Sequence, residues 1–371
     1  MTRKKLMSTL LFVGLGLVGL CCAKPSASAA PTQYVIVISM DGLGGTYLES
    51  LLNGTARTAE GDAYGLPNFQ RLLSEGASTM YAHIDNDTYE TVPNHAGMLT
   101  GRPLGGEAGH GWNLNDTHAA GTTIHTHKSQ QLGADAYVSS VFDVAAANGL
   151  RTGLYANKEK FSIFPDSYAI DHVFINNGSV KDQYNGSEVV NAFIAQQTSG
   201  DPDQFAFVHI NDLDNAGHNY QWGSTAWNEQ VVAVDSLLGK IFQMIADVPG
   251  MAGNTAIILT ADHGDQDLPN GMNANRFSVP FFVWGPGVTA GDLYELNADT
   301  RRLPDTWPLT TYDGVGPIRS LEACNLALAL LGLEAIPDSV FGASHDLRVP
   351  EPATMSLLLL GGLAMLRRRN A

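Results

Sequence analysis

The chain has 371 residues, and its 37 acidic and 21 basic residues give a formal net charge of −16 at pH 7. This charge repels nucleic acid, and no basic patch offsets it, which excludes duplex nucleic acid as a partner. Of three cysteines, Cys21 and Cys22 lie in an N-terminal apolar run, which leaves only Cys324 elsewhere. A disulfide framework and a cysteine-rich metal site are therefore excluded as well.

Residues 1–29 have the parts of a secretory signal. A charged start (residues 3–5) precedes an apolar core (residues 10–22) and the small-residue cleavage site Ala27-Ser28-Ala29. We expect signal peptidase to remove this segment during export. The alternatives are a lipoprotein site at Cys21 and an N-terminal membrane anchor that is retained.

Three apolar runs rich in β-branched residues lead directly into acidic residues. The runs are residues 34–39, 205–210 and 255–260, and they are followed by Asp41, by Asp212 and Asp214, and by Asp262. A continuous apolar run is typical of a strand buried on both faces, as in a parallel sheet. Ligands bind at the carboxyl ends of such strands, so we expect these carboxylates to share one edge of the sheet.

Amphipathic and apolar stretches between these runs complete the pattern. We predict helices over residues 66–75, 137–148, 228–246 and 321–333, and further strands over residues 77–83, 151–155 and 279–284. The alternation predicts an α/β sandwich with a mostly parallel central sheet and helices on both faces. Because no repeat or low-complexity linker divides it, residues 30–348 are interpreted as one catalytic domain.

The segment Thr91-Val92-Pro93-Asn94-His95 is a candidate for nucleophilic chemistry. Proline suits the first turn of a helix, where its missing N–H costs nothing. The free N–H groups and the dipole of that turn attract an anion. A threonine hydroxyl there could attack a phosphorus or sulfur centre, although most such tripeptides are only helix starts.

Two sets of candidate metal ligands accompany this segment. Asp214 and His218 are four residues apart, on one face if the segment is helical. Asp262 and His263 are adjacent at a predicted strand end. Carboxylate and imidazole ligands suit zinc, and also manganese or iron. Two ions about 3.5–4 Å apart could clamp the attacking and leaving oxygens of a phosphoryl transfer.

In this order the motifs resemble those of the alkaline phosphatase superfamily, and within it the type I phosphodiesterase/nucleotide pyrophosphatase family. The resemblance extends over residues 34–347 and rests on Met40-Asp41-Gly42, Thr91-Val92-Pro93-Asn94-His95, Asp214-x-x-Gly-His218 and Asp262-His263-Gly264. Each motif is common by itself, whereas the set is specific. It implies the superfamily fold and a phosphothreonine intermediate at Thr91.

The resemblance also implies ligands for two zinc ions, with Mn2+ as an alternative. One ion would be held by Asp41, Thr91, Asp262 and His263, and the other, which activates water, by Asp214 and His218. A phosphate-binding asparagine is matched by Asn115, with Asn113 as the weaker candidate.

One departure affects the second ion. The family has a further histidine after its Asp-His-Gly motif, but no histidine occurs between Gly264 and Trp284 here. The substitutes considered are Asp265, Asp267, Asn270, Asn273 and, further along the chain, His345. The ion at Asp214 and His218 is therefore expected to be weaker, different or absent.

Other polar residues receive ordinary interpretations. His209 lies in a predicted strand and is interpreted as a core or edge residue. Lys158 and Lys160 are interpreted by default as exposed lysines, with contact to substrate charge as the alternative. His95 is expected to support the start of the helix rather than to bind metal.

Residues 349–371 resemble a PEP-CTERM sorting signal. Pro350-Glu351-Pro352 precedes an apolar run over residues 353–366 and the cluster Arg367-Arg368-Arg369. The resemblance implies processing by an exosortase-type enzyme, transient membrane association through a short apolar helix, and a Gram-negative envelope or extracellular location. The run is shorter than the ~20 residues of a full span, and an ordinary tail anchor is the alternative. Between the two terminal segments, residues 30–348 contain 14 basic and 36 acidic residues, a charge of −22.

The sequence therefore predicts a secreted or envelope phosphoesterase that depends on metal and acts on small phosphoesters, with phosphodiesters or nucleotides favoured over monoesters. A sulfatase of the same superfamily is the second enzyme hypothesis, but the Thr91 motif lacks both the convertible cysteine or serine and the arginine of that class. A non-catalytic envelope protein with the same fold is the third, supported by the missing histidine.

Overall fold

The computed structural model describes residues 32–176, 184–268, 274–305 and 314–349, together with residues 307, 309, 311 and 312. The predicted signal segment and the sorting segment from residue 350 onward lie outside the described residues. Within the described ranges, no helix combines the length and apolar character that crossing a membrane requires.

One eight-stranded sheet organises the fold. Its strands are β1 (Tyr34–Met40), β2 (Ala77–His83), β3 (Thr152–Ala156), β4 (His172–Ile175), β5 (Phe205–Ile210), β6 (Thr255–Thr260), β7 (Ser278–Trp284) and β8 (Gly291–Asp292). They pair in the order β4-β3-β5-β1-β6-β7-β2-β8. Strand β7 is antiparallel to β6 and β2, and the other pairings of the described strands are parallel. The predicted mostly parallel sheet is confirmed.

Helices cover the sheet. They are α1 (Gly45–Leu52), α2 (Pro67–Glu75), α3 (Thr91–Thr100), α4 (Ile124–Leu132), α5 (Val141–Ala147), α6 (Ile163–Ser167), α7 (Gly186–Gln197), α8 (Asp212–Tyr220), α9 (Thr225–Asp247), α10 (Ala274–Phe277), α11 (Leu293–Leu296) and α12 (Ala323–Leu330). Helix α9 contacts α2, α7 and α8, whereas α12 contacts α3 and α5. This arrangement is the predicted α/β sandwich.

Local capping explains where predicted and observed helix boundaries differ. Helix α5 begins at Val141 rather than near residue 137, because Ser140 and Asp143 form a reciprocal capping box. Helix α9 begins earlier than predicted because the Ser224 side chain accepts a hydrogen bond from the Trp227 N–H at 3.2 Å. The predicted last helix is shorter, since residues 320–322 form a 3-10 turn before α12.

The register of β1 determines where the chemistry lies. Strand β1 runs between β5 and β6, and its residues from Val35 to Met40 are buried. Met40 pairs with Ile210 of β5, and Ser39 pairs with Thr260 of β6. The residues that follow these three strands therefore meet at one sheet edge, as the sequence predicted.

Candidate active site

Asp41, Asp262 and His263 form a fully buried cluster at the carboxyl edge of the sheet. Each is 0% exposed, and one ligand atom from each lies within 4.8 Å of the others. Among the residues that the structure describes, this is the one group of three or more acidic, histidine or cysteine side chains with such spacing.

The imidazole of His263 is oriented as a metal ligand would be. Its Nδ1 donates a hydrogen bond to the carbonyl of Gly264 at 2.9 Å. Its Nε2 lies 3.1 Å from Asp41 Oδ1 and 3.4 Å from Asp262 Oδ2. A histidine bound to metal through one nitrogen usually donates the other N–H in this way.

Each carboxylate of the cluster has one oxygen that makes no hydrogen bond. Asp262 Oδ1 accepts hydrogen bonds from the Gly42 and His263 N–H groups at 3.3 and 3.0 Å. Four buried atoms of the cluster and its neighbour have no hydrogen-bond partner: Asp41 Oδ1, Asp262 Oδ2, Asp214 Oδ1 and His263 Nε2. Buried polar atoms are normally paired, and the carboxylate oxygens of Asp41 and Asp262 with the imidazole nitrogen of His263 are a ligand set that suits zinc. The residues of this cluster fit a divalent cation.

The pKa values of the cluster give the same conclusion. Burial and the neighbouring Asp41 raise the pKa of Asp262 to about 8. Burial opposes charge on His263, yet Asp262 and Asp41 raise its pKa to about 9. The pKa of Asp41 lies well below its usual value, because Lys158 and its histidine partners outweigh burial. Protons therefore balance the excess negative charge here, and a divalent cation would displace them.

Thr91 is the first residue of α3 and is 2% exposed. Its carbonyl accepts a hydrogen bond from His95 Nδ1 at 2.6 Å, and the Ser39 hydroxyl donates to His95 Nε2 at 2.8 Å. Burial lowers the pKa of His95 well below its usual value, which keeps the ring neutral. His95 thus supports the start of α3, as the sequence predicted.

Asn115 lies against the first turn of α3. Its Oδ1 accepts hydrogen bonds from the Val92 N–H at 3.1 Å and from Lys160 Nζ at 2.8 Å, while its Nδ2 donates to the Glu90 carboxylate. Asn113 instead contacts His127 Nε2 through Oδ1 at 3.0 Å. Of the two candidate asparagines, Asn115 is the one beside Thr91.

The default interpretation of Lys158 as an exposed lysine is wrong, because the residue is buried. Its side chain is 8% exposed, and its Nζ lies 2.6 Å from Asp41 Oδ2 and 2.7 Å from Asp214 Oδ2. The same nitrogen is 3.5 Å from Thr91 Oγ1. The available signal was its position directly after β3, whose register places it at the same sheet edge.

His209 was also missed, since its place in β5 suggested a core residue. The ring is fully buried, and Nε2 lies 3.0 Å from Asp41 Oδ2. Its strand neighbour is Ser39, one pair before the end of β1. His209 therefore orients the Asp41 carboxylate from inside the sheet.

The second predicted ligand pair lies beside the cluster. His218 Nε2 is 3.3 Å from Asp214 Oδ1, and this contact is the main reason that the pKa of His218 rises to about 8. His218 Nδ1 lies 3.1 Å from the Asp267 carboxylate. Asp265, another considered substitute, accepts a hydrogen bond from the Tyr47 hydroxyl at 2.8 Å.

These contacts do not complete a second metal site among the described residues. Asp267 contacts the far nitrogen of His218, and one oxygen of Asp214 is paired with Lys158. A catalytic zinc site usually has three protein ligands. Asn270 and Asn273 lie outside the described residues. The assignment of Asp214 and His218 to a zinc ion stays a prediction.

Gly42 allows the two sides of the site to approach each other. Its φ is 75°, a left-handed conformation that favours glycine. A Cβ at this position would lie 2.9 Å from the Cα of Asp214. The Asp41-Gly42 turn can therefore pack directly against α8.

Two family models match parts of the sequence. The sequence profile of the type I phosphodiesterase/nucleotide pyrophosphatase family matches residues 35–280. The PEP-CTERM protein-sorting motif matches residues 348–370.

Curated relatives share the family resemblance. GPI ethanolamine phosphate transferase 1 of Candida glabrata is 24% identical over 277 residues, which are 71% of this chain and 28% of the relative. The enzyme of the same name from Schizosaccharomyces pombe is 22% identical over 353 residues, 91% of this chain and 36% of the relative. The chain thus spans roughly a third of the length of these relatives.

Solved structures share the fold. An inactive variant of murine ectonucleotide pyrophosphatase/phosphodiesterase 5, in complex with AMP, has a TM-score of 0.56 at 16% identity, covering 85% of this chain and 99% of its own. The lipoteichoic acid synthase LtaP of Listeria monocytogenes has a TM-score of 0.54 at 13% identity, and the match covers 86% of this chain and 76% of LtaP. A 2-O glycosaminoglycan sulfatase, BT1596, has a TM-score of 0.56 at 13% identity, and the match covers 84% of this chain and 73% of the sulfatase. At these identities, the likeness shows a common fold.

Proposed function

This chain belongs to the type I phosphodiesterase/nucleotide pyrophosphatase family of the alkaline phosphatase superfamily, and we propose that it is an exported, metal-dependent phosphoesterase. It acts through a phosphothreonine at Thr91. Its substrates are small phosphoesters, with diesters and nucleotides favoured over monoesters.

The observation that carries this proposal is the position of the Thr91 hydroxyl. Thr91 begins a ten-residue helix. Its hydroxyl oxygen lies 3.5 Å from Lys158 Nζ, and that nitrogen lies 2.6 Å from Asp41 Oδ2 of the cluster. The helix dipole favours an anion at that end. A hydroxyl, an anion-stabilising helix end and a metal-binding cluster are the parts that nucleophilic phosphoryl transfer needs.

Asp41, Asp262 and His263, with Thr91, are the proposed ligands of one zinc ion. A bound zinc ion lowers the pKa of a coordinated hydroxyl and neutralises charge that develops on phosphate oxygens. His209 and the Gly42 N–H hold the carboxylates of Asp41 and Asp262 in place.

The chain's own residues perform two displacements. The Thr91 oxygen attacks phosphorus, its proton passes to solvent, and the ester bond on the opposite side breaks as the departing oxygen takes up a proton. Asn115 and Lys160, beside the start of α3, are the proposed contacts to phosphate oxygens. Water then attacks the phosphothreonine, releases the phosphate product and restores the Thr91 hydroxyl.

Transfer to an acceptor hydroxyl instead of water is the second candidate outcome. The observation that favours it is the name of the matched relatives, which are phosphate transferases. In that reaction, an alcohol replaces water in the second displacement, and the first displacement at Thr91 is unchanged.

The matched PEP-CTERM motif supports export and sorting by an exosortase-type enzyme. We propose a Gram-negative cell envelope or extracellular location, with signal peptidase acting on residues 1–29. Transient membrane association through residues 353–366 belongs to the same proposal.

The test is hydrolysis of bis-p-nitrophenyl phosphate, p-nitrophenyl phosphate and p-nitrophenyl sulfate, with added zinc or manganese, by the wild type and Thr91→Ala. We expect the diester to be the preferred substrate and Thr91→Ala to lose on the order of 10³-fold or more in kcat. Thr91→Ser, which keeps a hydroxyl, is the matched control and should retain part of the activity. When glycerol is added as an acceptor, the products that form distinguish hydrolysis from transfer.

Three results would contradict the proposal. If the wild type hydrolyses none of the esters, the result supports the non-catalytic hypothesis. Preference for the sulfate ester supports the sulfatase hypothesis. Full activity in Thr91→Ala removes Thr91 as the nucleophile.

A further inference from the structure

We propose that the ammonium group of Lys158 takes the place of a second metal ion, so that the active site holds one divalent cation. This inference rests on the proposed function, because it concerns the composition of the same site. It departs from the two-ion arrangement that the family resemblance implies.

The position of the ammonium group is the first argument. Lys158 Nζ lies between two carboxylates, 2.6 Å from Asp41 Oδ2 and 2.7 Å from Asp214 Oδ2. A protonated lysine has three N–H donors. Two of them face these carboxylates, and the Thr91 hydroxyl oxygen lies 3.5 Å away for the third. The lysine thus connects the nucleophile to both sides of the site, as a bridging cation would.

The shortage of ligands is the second argument. His218 and Asp214 Oδ1 form a pair 3.3 Å apart, but Asp214 Oδ2 faces Lys158. Asp267 contacts His218 through Nδ1 and so lies behind the ring. The region after β6 contains no histidine before Trp284. Within the described part of the chain, Asp214 and His218 are therefore the two side chains left for a second ion, and with the His218 side chain 39% exposed they make a weak site for zinc.

Charge balance is the third argument. The site contains three buried carboxylates, those of Asp41 and Asp262 in the cluster and that of Asp214 beside it. With Lys158 charged, two negative charges remain, which one divalent cation neutralises. A second divalent cation at Asp214 and His218 would have to sit beside the ammonium group, and two cations so close together repel each other.

Lys158 then has a defined part in the reaction. As a fixed positive charge near the Thr91 oxygen, it stabilises negative charge that develops during attack on phosphorus, without needing to be loaded from solution. The site would therefore respond to metal with a single binding event.

Metal content, measured by inductively coupled plasma mass spectrometry on zinc-loaded and desalted full chain, tests this inference. We expect one equivalent per chain in the wild type and one in His218→Ala. We expect two in Lys158→Gln, because Asp214 Oδ2 becomes available beside His218 once the ammonium group is removed. Lys160→Gln is the matched control, since Lys160 contacts Asn115 and no cluster carboxylate in the described hydrogen bonds, and it should keep one equivalent.

The inference would be overturned if the wild type bound two equivalents of zinc and His218→Ala bound one. It would also be overturned if Lys158→Gln bound only one equivalent. If Lys158→Gln does not fold, His218→Ala carries the test alone: one equivalent in both proteins supports the inference, and a lower value in the variant overturns it. If the wild type binds two equivalents of zinc and its hydrolysis depends on Thr91, the inference fails but the proposed function is supported. One equivalent without any hydrolysis would contradict the proposed function instead.

Discussion

The two sides of the active site are built differently. On one side, Asp41, Asp262 and His263 directly follow central strands and are fully buried. On the other, His218 lies on α8 with 39% of its side chain exposed, and its partner Asp267 is 50% exposed. Groups fixed by a sheet and removed from water interact more strongly than groups on a short helix and a loop. The buried side should therefore dominate metal binding and catalysis.

Replacement of a buried carboxylate should give the largest difference between the two sides. Asp262→Asn removes a negative charge from the cluster, and we expect loss of bound zinc and of about 10³-fold in kcat/KM, corresponding to several kcal/mol of charge stabilisation. The measurement is diesterase activity together with zinc content.

The matched control for this change is Asp267→Asn on the exposed side. We expect it to keep its zinc and to lose less than about tenfold in kcat/KM, because exposed charge pairs contribute little. Equal losses in the two variants would contradict the comparison.

A smaller effect is expected from the residue that orients Asp41. His209 Nε2 lies 3.0 Å from Asp41 Oδ2 inside the sheet. Loss of a group that orients a metal ligand typically costs about 10–100-fold in metal affinity, and we expect this for His209→Ala in a zinc titration with a competing chelator. His209→Gln, which keeps a donor, should bind zinc more tightly than the alanine variant; an affinity unchanged in both would show that His209 only fills space.

The smallest effect concerns Lys160, at the substrate side of the nucleophile. Burial, with help from the neighbouring Lys158, lowers its pKa to about 8. The charged form is therefore present below pH 8 and is lost as the pH rises through 8. We expect KM for an anionic diester to rise by about two- to fivefold between pH 7 and 9, the size of one partly exposed charge contact.

Lys160→Gln is the control for this pH dependence. The variant should have a raised KM at pH 7 and a flatter profile, since it has no charge to lose. A wild-type profile identical in shape to that of Lys160→Gln would exclude Lys160 as the origin.

Much of the buried side could be predicted from the sequence. Apolar runs identify strands, and the residues that follow such runs lie at the sheet edge, so the sequence alone predicts that Asp41 and Asp262 lie close together. Thr91 could be placed at a helix start because proline is tolerated in the first turn. These inferences depend on local patterns.

The remaining features depend on tertiary packing. Burial of Lys158 follows from two carboxylates, one directly after β1 and one in α8, which are far apart in sequence. His209 looks like any other residue of a buried strand until the register brings it beside Asp41. The contact between Asp267 and His218 depends on the path of the loop after β6. Apart from the position of Lys158 after β3, no local pattern indicates these three contacts.

The central claim is that Thr91 forms a covalent bond to phosphorus. Its most direct test is rapid acid quenching of the zinc-loaded enzyme during turnover of bis-p-nitrophenyl phosphate, followed by mass spectrometry of the peptide that contains Thr91. The account predicts a phosphoryl adduct on Thr91 in the wild type and none on that peptide in Thr91→Ala. Turnover with the adduct on a different residue, or an active Thr91→Ala enzyme, would contradict the account.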